Sequence, residues 1–332
     1  MASYLVRRLG LALLVVWGAV TLMFVMFFVI PGNTLDVLSG EKVVRPEIRR
    51  NIEKDWGLGQ SVTGQYFHYW NRVLHGDLGK SYSNNRSVNE LFKQRAANSA
   101  RLAFWALAIE VFFGIGVGVI AAVRKYSLLD VVTGFVAVAL AGIPVFVLGL
   151  LMQYGLGVRP AQWKWPRWTR FPVQGMGPNR WFGVIPLGHQ WKYLILPAIV
   201  LACVQTGFIT RISRTSMLEV LNADYVRTAR AKGLRTSTVI VKHALRNALL
   251  PTLTVIGLDV IGLFGVAVLT ETVFNWPGLG STIRDYAFAQ DVPVVLGLAS
   301  IVVLFGALAS LIVDVSYSIL DPRVRLTTEK MH

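Results

Sequence analysis

The chain has 332 residues, of which 54% are hydrophobic and only 15% are charged, and its formal net charge is +15. Soluble domains carry about 25% charged residues, so this composition excludes an ordinary soluble protein. Because Lys and Arg flank apolar blocks instead of forming one stripe, we interpret the basic excess as cytoplasmic loops and headgroup contacts, with no nucleic-acid partner. The one cysteine, Cys203, excludes an intrachain disulfide and a cysteine-based zinc site.

Six apolar blocks are long enough to cross a bilayer, whose core of about 30 Å needs roughly 20 apolar residues as helix. They are Leu9–Ile30, Leu102–Val123, Val131–Gly155, Tyr193–Thr210, Pro251–Phe274 and Val294–Val313. A cleaved signal peptide is the alternative for the first block, but its apolar region is longer than the about 7–15 residues of such peptides. Pro144 is expected to kink the third block. The sequence predicts an all-α membrane protein of about six transmembrane helices.

Basic residues in short loops set the orientation of a membrane protein. With the N-terminus inside, the inner loops and ends carry 15 Lys and Arg, and the short outer loops carry seven. The stretch from Pro31 to Arg101 is too long for the rule to apply and is left out of this count. We therefore predict cytoplasmic N- and C-termini, although the basic loop between Arg159 and Lys192 argues the other way. The predicted organisation comprises an N-terminal transmembrane helix (1–30), an extracytoplasmic helical segment (31–101) and a five-helix transmembrane core (102–332). The core includes an inner loop at 211–250 and an outer loop at 156–192.

The two outer segments lack a core of their own. In the first, Pro46 is predicted to open a charged helix and Val62–Leu74 to form an amphipathic one, which we interpret as a cap on the bundle. The second carries tryptophans among basic residues, which suits anchoring in the headgroup layer; a ligand-gating loop is the alternative. These tryptophans are Trp163, Trp165, Trp168, Trp181 and Trp191.

The inner loop has the pattern of two short helices. Asp224 is predicted to cap the first, Tyr225–Lys232, and Gly233 to end it as a left-handed residue. Thr236 is predicted to cap the second, which runs up to Pro251 at the start of the fifth span. A short basic helix with small alanines is shaped to lie in another protein's groove. An ordinary basic cytoplasmic loop explains the same residues.

This loop resembles the EAA motif of the permease subunits of bacterial ABC importers, in the variant of the peptide and nickel branch. The runs that carry the resemblance are Asp224–Leu234 (DYVRTARAKGL), His243–Pro251 (HALRNALLP), Gly76–Tyr82 (GDLGKSY), Glu271–Gly280 (ETVFNWPGLG) and Asp321–Arg325 (DPRVR). Their order and spacing agree over nearly the whole chain. The leading Glu of the general motif is replaced by Arg227 and its next Ala by Thr228, as is usual in this branch. Two departures are a longer outer loop and Asp259, where an uncharged residue is expected.

The resemblance implies a type I ABC-importer permease fold in the bacterial inner membrane and half of a translocation pathway for dipeptides or oligopeptides. Nickel, haem or another small solute remain alternative cargoes. The implied partners are a second homologous permease, two cytoplasmic ABC ATPases, an extracytoplasmic solute-binding protein and the lipid bilayer. The chain itself would hydrolyse no ATP and need no cofactor. Coupling to the ATPases would involve Asp224, Tyr225, Arg227, Thr228, Ala229, Arg230, Ala231, Lys232 and Gly233.

Four acidic residues lie in or at the edges of the predicted spans. Glu110 and Asp259 lie deeper, and intramembrane carboxylates usually face a bundle interior or a wet cavity. We predict a pathway role for both, as a substrate amine contact or a proton relay; a structural pair is the alternative. Glu271 and Asp314 are expected at the membrane interface. No histidine pair with metal-ligand spacing accompanies them, so no metal site is expected.

Shorter sequence patterns bear on helix packing and on rival functions. Gly114-x-x-x-Gly118 and Gly306-x-x-x-Ser310 predict close helix contacts. Gly79-Lys80-Ser81 looks like the end of a phosphate-binding loop, but Leu74 occupies the position of its first glycine, so no nucleotide site is expected. A secondary transporter driven by an ion gradient is the main rival function. The halves show no internal repeat of the kind such folds contain, and no catalytic motif supports an enzyme.

Overall fold

The computed structural model describes residues 2–29, 60–166, 169–178 and 180–320. Within these ranges it does not describe the side chains of residues 2–5, 261, 264, 266, 314 and 316–320. Four predicted features therefore lie outside the described residues: the helix opened by Pro46, the anchor Trp168, the carboxylate of Asp314 and the run Asp321–Arg325. The chain divides into two compact units, 1–99 with 277–332 and 100–276.

The described elements are almost all helices. In chain order they are α1 (Ala2–Phe24, continued by a π-helical turn at Val25–Val29), α2 (Val62–Leu74), α3 (Val88–Val123), α4 (Leu128–Gly142), α5 (Val145–Met152, continued by a π-helical turn at Gln153–Val158), α6 (Arg159–Gln162), α7 (Gln190–Leu221), α8 (Asp224–Ala231), α9 (Thr236–Thr238, continued by a π-helical turn at Val239–Leu245), α10 (Arg246–Val273), α11 (Leu279–Phe288) and α12 (Val292–Leu320). Two short strands, β1 (Trp181–Phe182) and β2 (Ile185–Pro186), form an antiparallel hairpin.

Five helical stretches are long and apolar enough to cross a membrane by themselves. They are Val6–Val29, Val88–Val123, Gln190–Leu221, Thr236–Val260 and Val292–Val313. The pair of α4 and the helical stretch Val145–Gln162, which meet at a bend of 109°, passes the same test when taken together, and it makes a sixth span if both parts belong to one crossing of the membrane. The prediction of an all-α membrane protein with about six spans is confirmed, and the orientation of its termini stays a prediction.

The third span is broken, which corrects the expected kink at Pro144. Ile143 ends α4 with extended backbone angles (φ −92°, ψ 124°), and Pro144 is the N-cap of α5. The ring of a proline disfavours helical angles at the residue before it. The chain therefore leaves the helix at Ile143 and starts a new one in a different direction.

Other helix boundaries also differ from the prediction. Helix α3 begins at Val88 and continues across the predicted boundary between 101 and 102, and α7 runs to Leu221, so the first part of the predicted inner loop is helical. Hydropathy marks where apolar residues stop, whereas a helix continues as long as its residues favour the conformation. Pro251 lies inside α10 instead of opening it. Spanning helices tolerate an internal proline because neighbouring groups can satisfy the freed carbonyl.

The first unit is built on contacts among α1, α2 and α12. Phe24 of α1, Tyr69 of α2 and Leu296 of α12 belong to one buried apolar cluster. The Thr21 hydroxyl and the Tyr66 hydroxyl are hydrogen bonded at 2.8 Å. The amphipathic helix predicted over residues 62–74 is thus confirmed, and its apolar face packs on the first and last spans.

The loop that resembles a phosphate-binding motif is a structural turn in this unit. The Ser81 hydroxyl donates a hydrogen bond of 2.6 Å to the buried carboxylate of Asp291, and the Ser83 amide donates one of 3.0 Å to the same oxygen. Gly79, with φ +91°, provides the left-handed residue of the turn. The motif therefore anchors the segment between α2 and α3 to the start of α12.

In the second unit, α3 packs against α7 through the Gly114-x-x-x-Gly118 pattern. A Cβ atom at Gly114 would lie 2.5 Å from Cγ2 of Ile209, and one at Gly118 would lie 2.6 Å from the carbonyl oxygen of Thr210. The predicted contact face is therefore confirmed, and its partner is the same chain. A Cβ atom at Gly306 would meet nothing within 4 Å, so the contact predicted there stays a prediction.

The outer loop is partly ordered by tryptophan packing. Trp181 of β1 packs edge-on against Trp276 with ring centroids 6.4 Å apart, and the guanidinium of Arg101 lies 4.8 Å above the Trp181 ring. Trp163 and Trp165, by contrast, are exposed. Trp181 is therefore part of the fold, and headgroup anchoring stays a prediction for the exposed tryptophans.

Candidate coupling helix and intramembrane carboxylates

The predicted coupling residues form a separate short helix, α8, between two long ones. Ala223 is its N-cap and Asp224 its first residue, so the predicted cap is displaced by one position. Asp224 nevertheless lies in the first turn, where a carboxylate interacts favourably with the helix dipole. The second cap is displaced in the same way, because Arg235, not Thr236, is the N-cap of α9.

The end of α8 is a Schellman motif around Gly233. The Gly233 amide donates to the Arg230 carbonyl at 2.9 Å, and the Leu234 amide donates to the Ala229 carbonyl at 3.4 Å. Lys232 is the C-cap, and Gly233 follows with φ +74°. This pair of bonds requires a left-handed residue at that position, which is why glycine is favoured there. The predicted role of Gly233 in ending the helix is confirmed.

One face of α8 is buried against its own chain. Val226 and Ala229, spaced three residues apart on one helix face, belong to an apolar cluster with Met217 of α7 and Ala248 of α10. The side-chain amide of Asn247 also donates a hydrogen bond of 2.8 Å to the Tyr225 hydroxyl. Ala229 was predicted to offer contact surface, but it is only 6% exposed. Its small size instead lets α8 lie close to the spanning helices.

The opposite face of α8 is solvent-exposed and basic. The exposed residues are Asp224, Tyr225, Arg227, Thr228, Arg230, Ala231, Lys232 and Gly233. Within this face, Arg227 and Asp224 are 3.5 Å apart, but both side chains are largely in water, where such a pair contributes little stability. The cationic side chains are thus available to a partner. Eight of the nine predicted coupling residues lie at this surface, and Ala229 lies beneath it.

An ion pair on α7, the helix that leads into α8, was not predicted from the sequence. Arg214 of α7 donates two hydrogen bonds to the carboxylate of Asp130 in α4, at 2.5 Å and 2.8 Å. The Tyr126 amide donates a third, of 3.0 Å, to the same carboxylate. The pair holds the turn before α4 against α7. Its α7 member, Arg214, lies ten residues before α8 begins at Asp224. Sequence spacing could not reveal it, because 84 residues separate its members.

The two deep carboxylates predicted for the pathway are brought together by the fold. Glu110 of α3 and Asp259 of α10 face each other within the second unit, and Glu110 has no exposed surface. Apart from this contact with each other, both oxygens of Glu110 and Oδ2 of Asp259 have no hydrogen-bond partner among the described residues. Glu271 is completely buried near the end of α10, and its position at the membrane interface stays a prediction. Among the described residues, no group of three or more potential metal ligands occurs.

Known proteins that resemble this chain along nearly all of its length are membrane components of transport systems. A family described as "Binding-protein-dependent transport system inner membrane component" matches residues 114–326, and its N-terminal counterpart matches residues 1–103. The dipeptide transport system permease protein DppB of Escherichia coli (strain K12) is 37% identical over 344 residues, covering 98% of this chain and 99% of the relative. The oligopeptide transport system permease protein AppB of Bacillus subtilis (strain 168) is 35% identical over 326 residues, covering 98% and 99%.

A solved structure shares the fold at low sequence identity. The crystal structure of an amino acid ABC transporter with histidines matches with a TM-score of 0.50 and 15% identity, covering 69% of this chain and 94% of that chain. The resemblance to ABC-importer permeases is thus confirmed by sequence and by fold, and it places the chain in the inner membrane as a multi-pass protein. The chain belongs to the family of inner-membrane components of binding-protein-dependent transport systems.

Proposed function

We propose that this chain is a permease subunit of an ATP-driven importer of short peptides. It forms half of the translocation pathway and pairs with a second, homologous permease. Two cytoplasmic ATPases supply the energy, and an extracytoplasmic solute-binding protein delivers the peptide. The names of relatives that share 35–37% of its residues support the peptide cargo, and the binding-protein-dependent family supports the partners.

The observation that carries the proposal is the two-sided construction of α8. Its inner face is fixed to two spanning helices through Val226 and Ala229, while its outer face presents cations to solvent. A helix that packs on its own chain with one face and exposes the other to solvent can dock its exposed face in a groove of a separate protein. The cations Arg227, Arg230 and Lys232 would favour fast encounter and a fixed register more than raw affinity.

Movement of an ATPase would then reach the membrane through packing. If closure of the ATPases displaces α8, the cluster that joins Val226 to Met217 and Ala248 transmits the displacement to α7 and α10. Closely packed apolar side chains transmit strain because they leave no room to absorb it. We place Glu110 of α3 and Asp259 of α10 beside the pathway, where movement of α10 relative to α3 would open the buried pair to water or cargo.

Reconstitution tests the proposal directly. Proteoliposomes that contain this chain, the second permease and the ATPases should accumulate labelled dipeptide only with ATP and the loaded binding protein. Omitting any one component should abolish uptake. Uptake by this chain alone under a sodium or proton gradient would contradict the proposal and support a secondary transporter.

A further inference from the structure

The strongest unexplained feature of the molecule is the pair of facing carboxyl groups on α3 and α10. Glu110 and Asp259 each lie about two helical turns from the nearest end of their predicted spans. Among the described residues, the other carboxyl is the one titratable or charged group that faces each of them. Neither forms an ion pair with a Lys or Arg within that part of the chain.

The packing of α3 keeps Glu110 in this position. Leu102, Ala106, Glu110, Gly114 and Gly118 follow one another at intervals of four residues, so they form one stripe that winds gradually round α3, with Glu110 at its middle. Leu102 and Ala106 are buried in the apolar core of the unit, and the two glycines are in close contact with α7. Rotating α3 to bring Glu110 into water would break these contacts on both sides of it.

The surroundings of the pair are apolar. Leu263 and Ala267 lie four and eight residues after Asp259 on α10, and both belong to the same buried core as Ala106 of α3. Moving an ion from water into such an environment costs several kcal/mol, and a second like charge beside it adds repulsion. Apart from the contact of the two carboxyl groups with each other, three of their four oxygens have no hydrogen-bond partner among the described residues. Two ionised carboxylates are therefore not compatible with this packing unless a proton or another small cation offsets one of the charges.

We propose that Glu110 and Asp259 together form a proton-binding site, occupied while α3 and α10 are packed as in this structure and emptied when transport separates them. A proton is the occupant that fits, because Glu110 has no exposed surface through which a larger cation could be hydrated or exchanged. One carboxyl then donates a hydrogen bond to the other, and the site carries one negative charge at most. The emptying step rests on the proposed function, whereas the occupied resting state does not.

Infrared spectroscopy tests the resting state. The full-length chain, with the subunits that copurify with it, is placed in lipid nanodiscs, and the carbonyl stretch of protonated carboxyl groups is recorded at neutral pH. We expect a band that shifts in deuterated water and that disappears or moves in Glu110→Gln and in Asp259→Asn. The exposed Asp285, changed to Asn, is the control and should leave the band unchanged. Two variants are used so that loss of folding in one does not remove the test.

The same measurement under turnover tests the emptying step. Trapping the complex with ATP and vanadate in the presence of the loaded binding protein should reduce the band, because the separated carboxyl groups would ionise in contact with water. A wild-type spectrum without the band, or one in which added sodium or potassium changes ionised carboxylate bands, would overturn the proton site. A band that is unchanged in the trapped complex would overturn the emptying step. Failed peptide uptake with the band still present would instead count against the proposed function alone.

Discussion

Replacing Gly233 with Val should uncouple ATP hydrolysis from transport. Gly233 has φ +74°, and a Cβ atom built on it meets nothing within 4 Å. The variant therefore suffers no clash, and its cost is the left-handed backbone conformation alone, about 1–2 kcal/mol for a residue with a side chain. A cost of this size lowers the population of the native turn about 5–30-fold relative to the unwound turn. Two hydrogen bonds that end α8, at Gly233 and Leu234, are lost in the unwound state.

The assay compares peptide uptake with ATP hydrolysis in the same proteoliposomes. We expect the number of peptides imported per ATP hydrolysed to fall several-fold in Gly233→Val, while insertion in the membrane and basal hydrolysis stay normal. Gly233→Asn should fall between the variant and the wild type, because Asn adopts left-handed angles more readily than a β-branched residue. Gly188→Val is the matched control, since Gly188 also has a positive φ, +59°, with open space around it, but lies in the outer loop.

Two results would refute this reasoning. A normal ratio of uptake to hydrolysis in Gly233→Val would mean that the turn does not hold α8 in its working position. An equal fall in Gly188→Val would mean that the effect reflects general strain and not the coupling segment.

Three further predictions concern packing around the same helices. Gly118→Ala should lower the free energy of unfolding in detergent by about 1–3 kcal/mol, because the added Cβ atom would overlap the α7 backbone. Gly116→Ala is the control: its Cβ atom meets open space, so the free energy of unfolding should change by less than about 0.5 kcal/mol. Asp130→Asn should cost about 1–2 kcal/mol, since it weakens the charged hydrogen bonds from the partly exposed Arg214, and amide exchange should quicken first near the start of α4. Val226→Asp places an unpaired charge in the apolar cluster under α8, so limited proteolysis should cut near α8 faster and uptake should fall; unchanged proteolysis would contradict the packing role of that face.

Sequence patterns predicted the elements whose signal is local. The apolar blocks predicted about six spans, and the spacing of polar and apolar residues predicted α2 with its exact bounds. Gly233 followed from the requirement for a left-handed residue after a short helix. These features depend on neighbouring residues, so one segment of sequence contains the necessary information.

Features that depend on distant partners were predicted poorly or not at all. The break at Pro144 was expected as a kink, because sequence alone does not say whether packing holds the two halves in line. The burial of Ala229 and Glu271 depends on helices that lie far away in sequence. The contact between Asp130 and Arg214, like the meeting of Glu110 with Asp259, becomes visible only once α3, α4, α7 and α10 are placed in space.

The central claim is that α8 binds to a separate ATPase subunit. Ala231 is exposed beside the cations of α8, so Ala231→Cys, in a chain whose Cys203 is replaced by Ser, offers a unique thiol for crosslinking. The matched control is Ala287→Cys, an exposed alanine of α11 on the predicted outer side. The account predicts that a short crosslinker, reactive toward a thiol at one end and toward lysine amines at the other, joins position 231, and not position 287, to the nucleotide-hydrolysing subunit in inner-membrane vesicles. A crosslink from position 287 alone, or none from position 231 while the complex remains assembled, would contradict it.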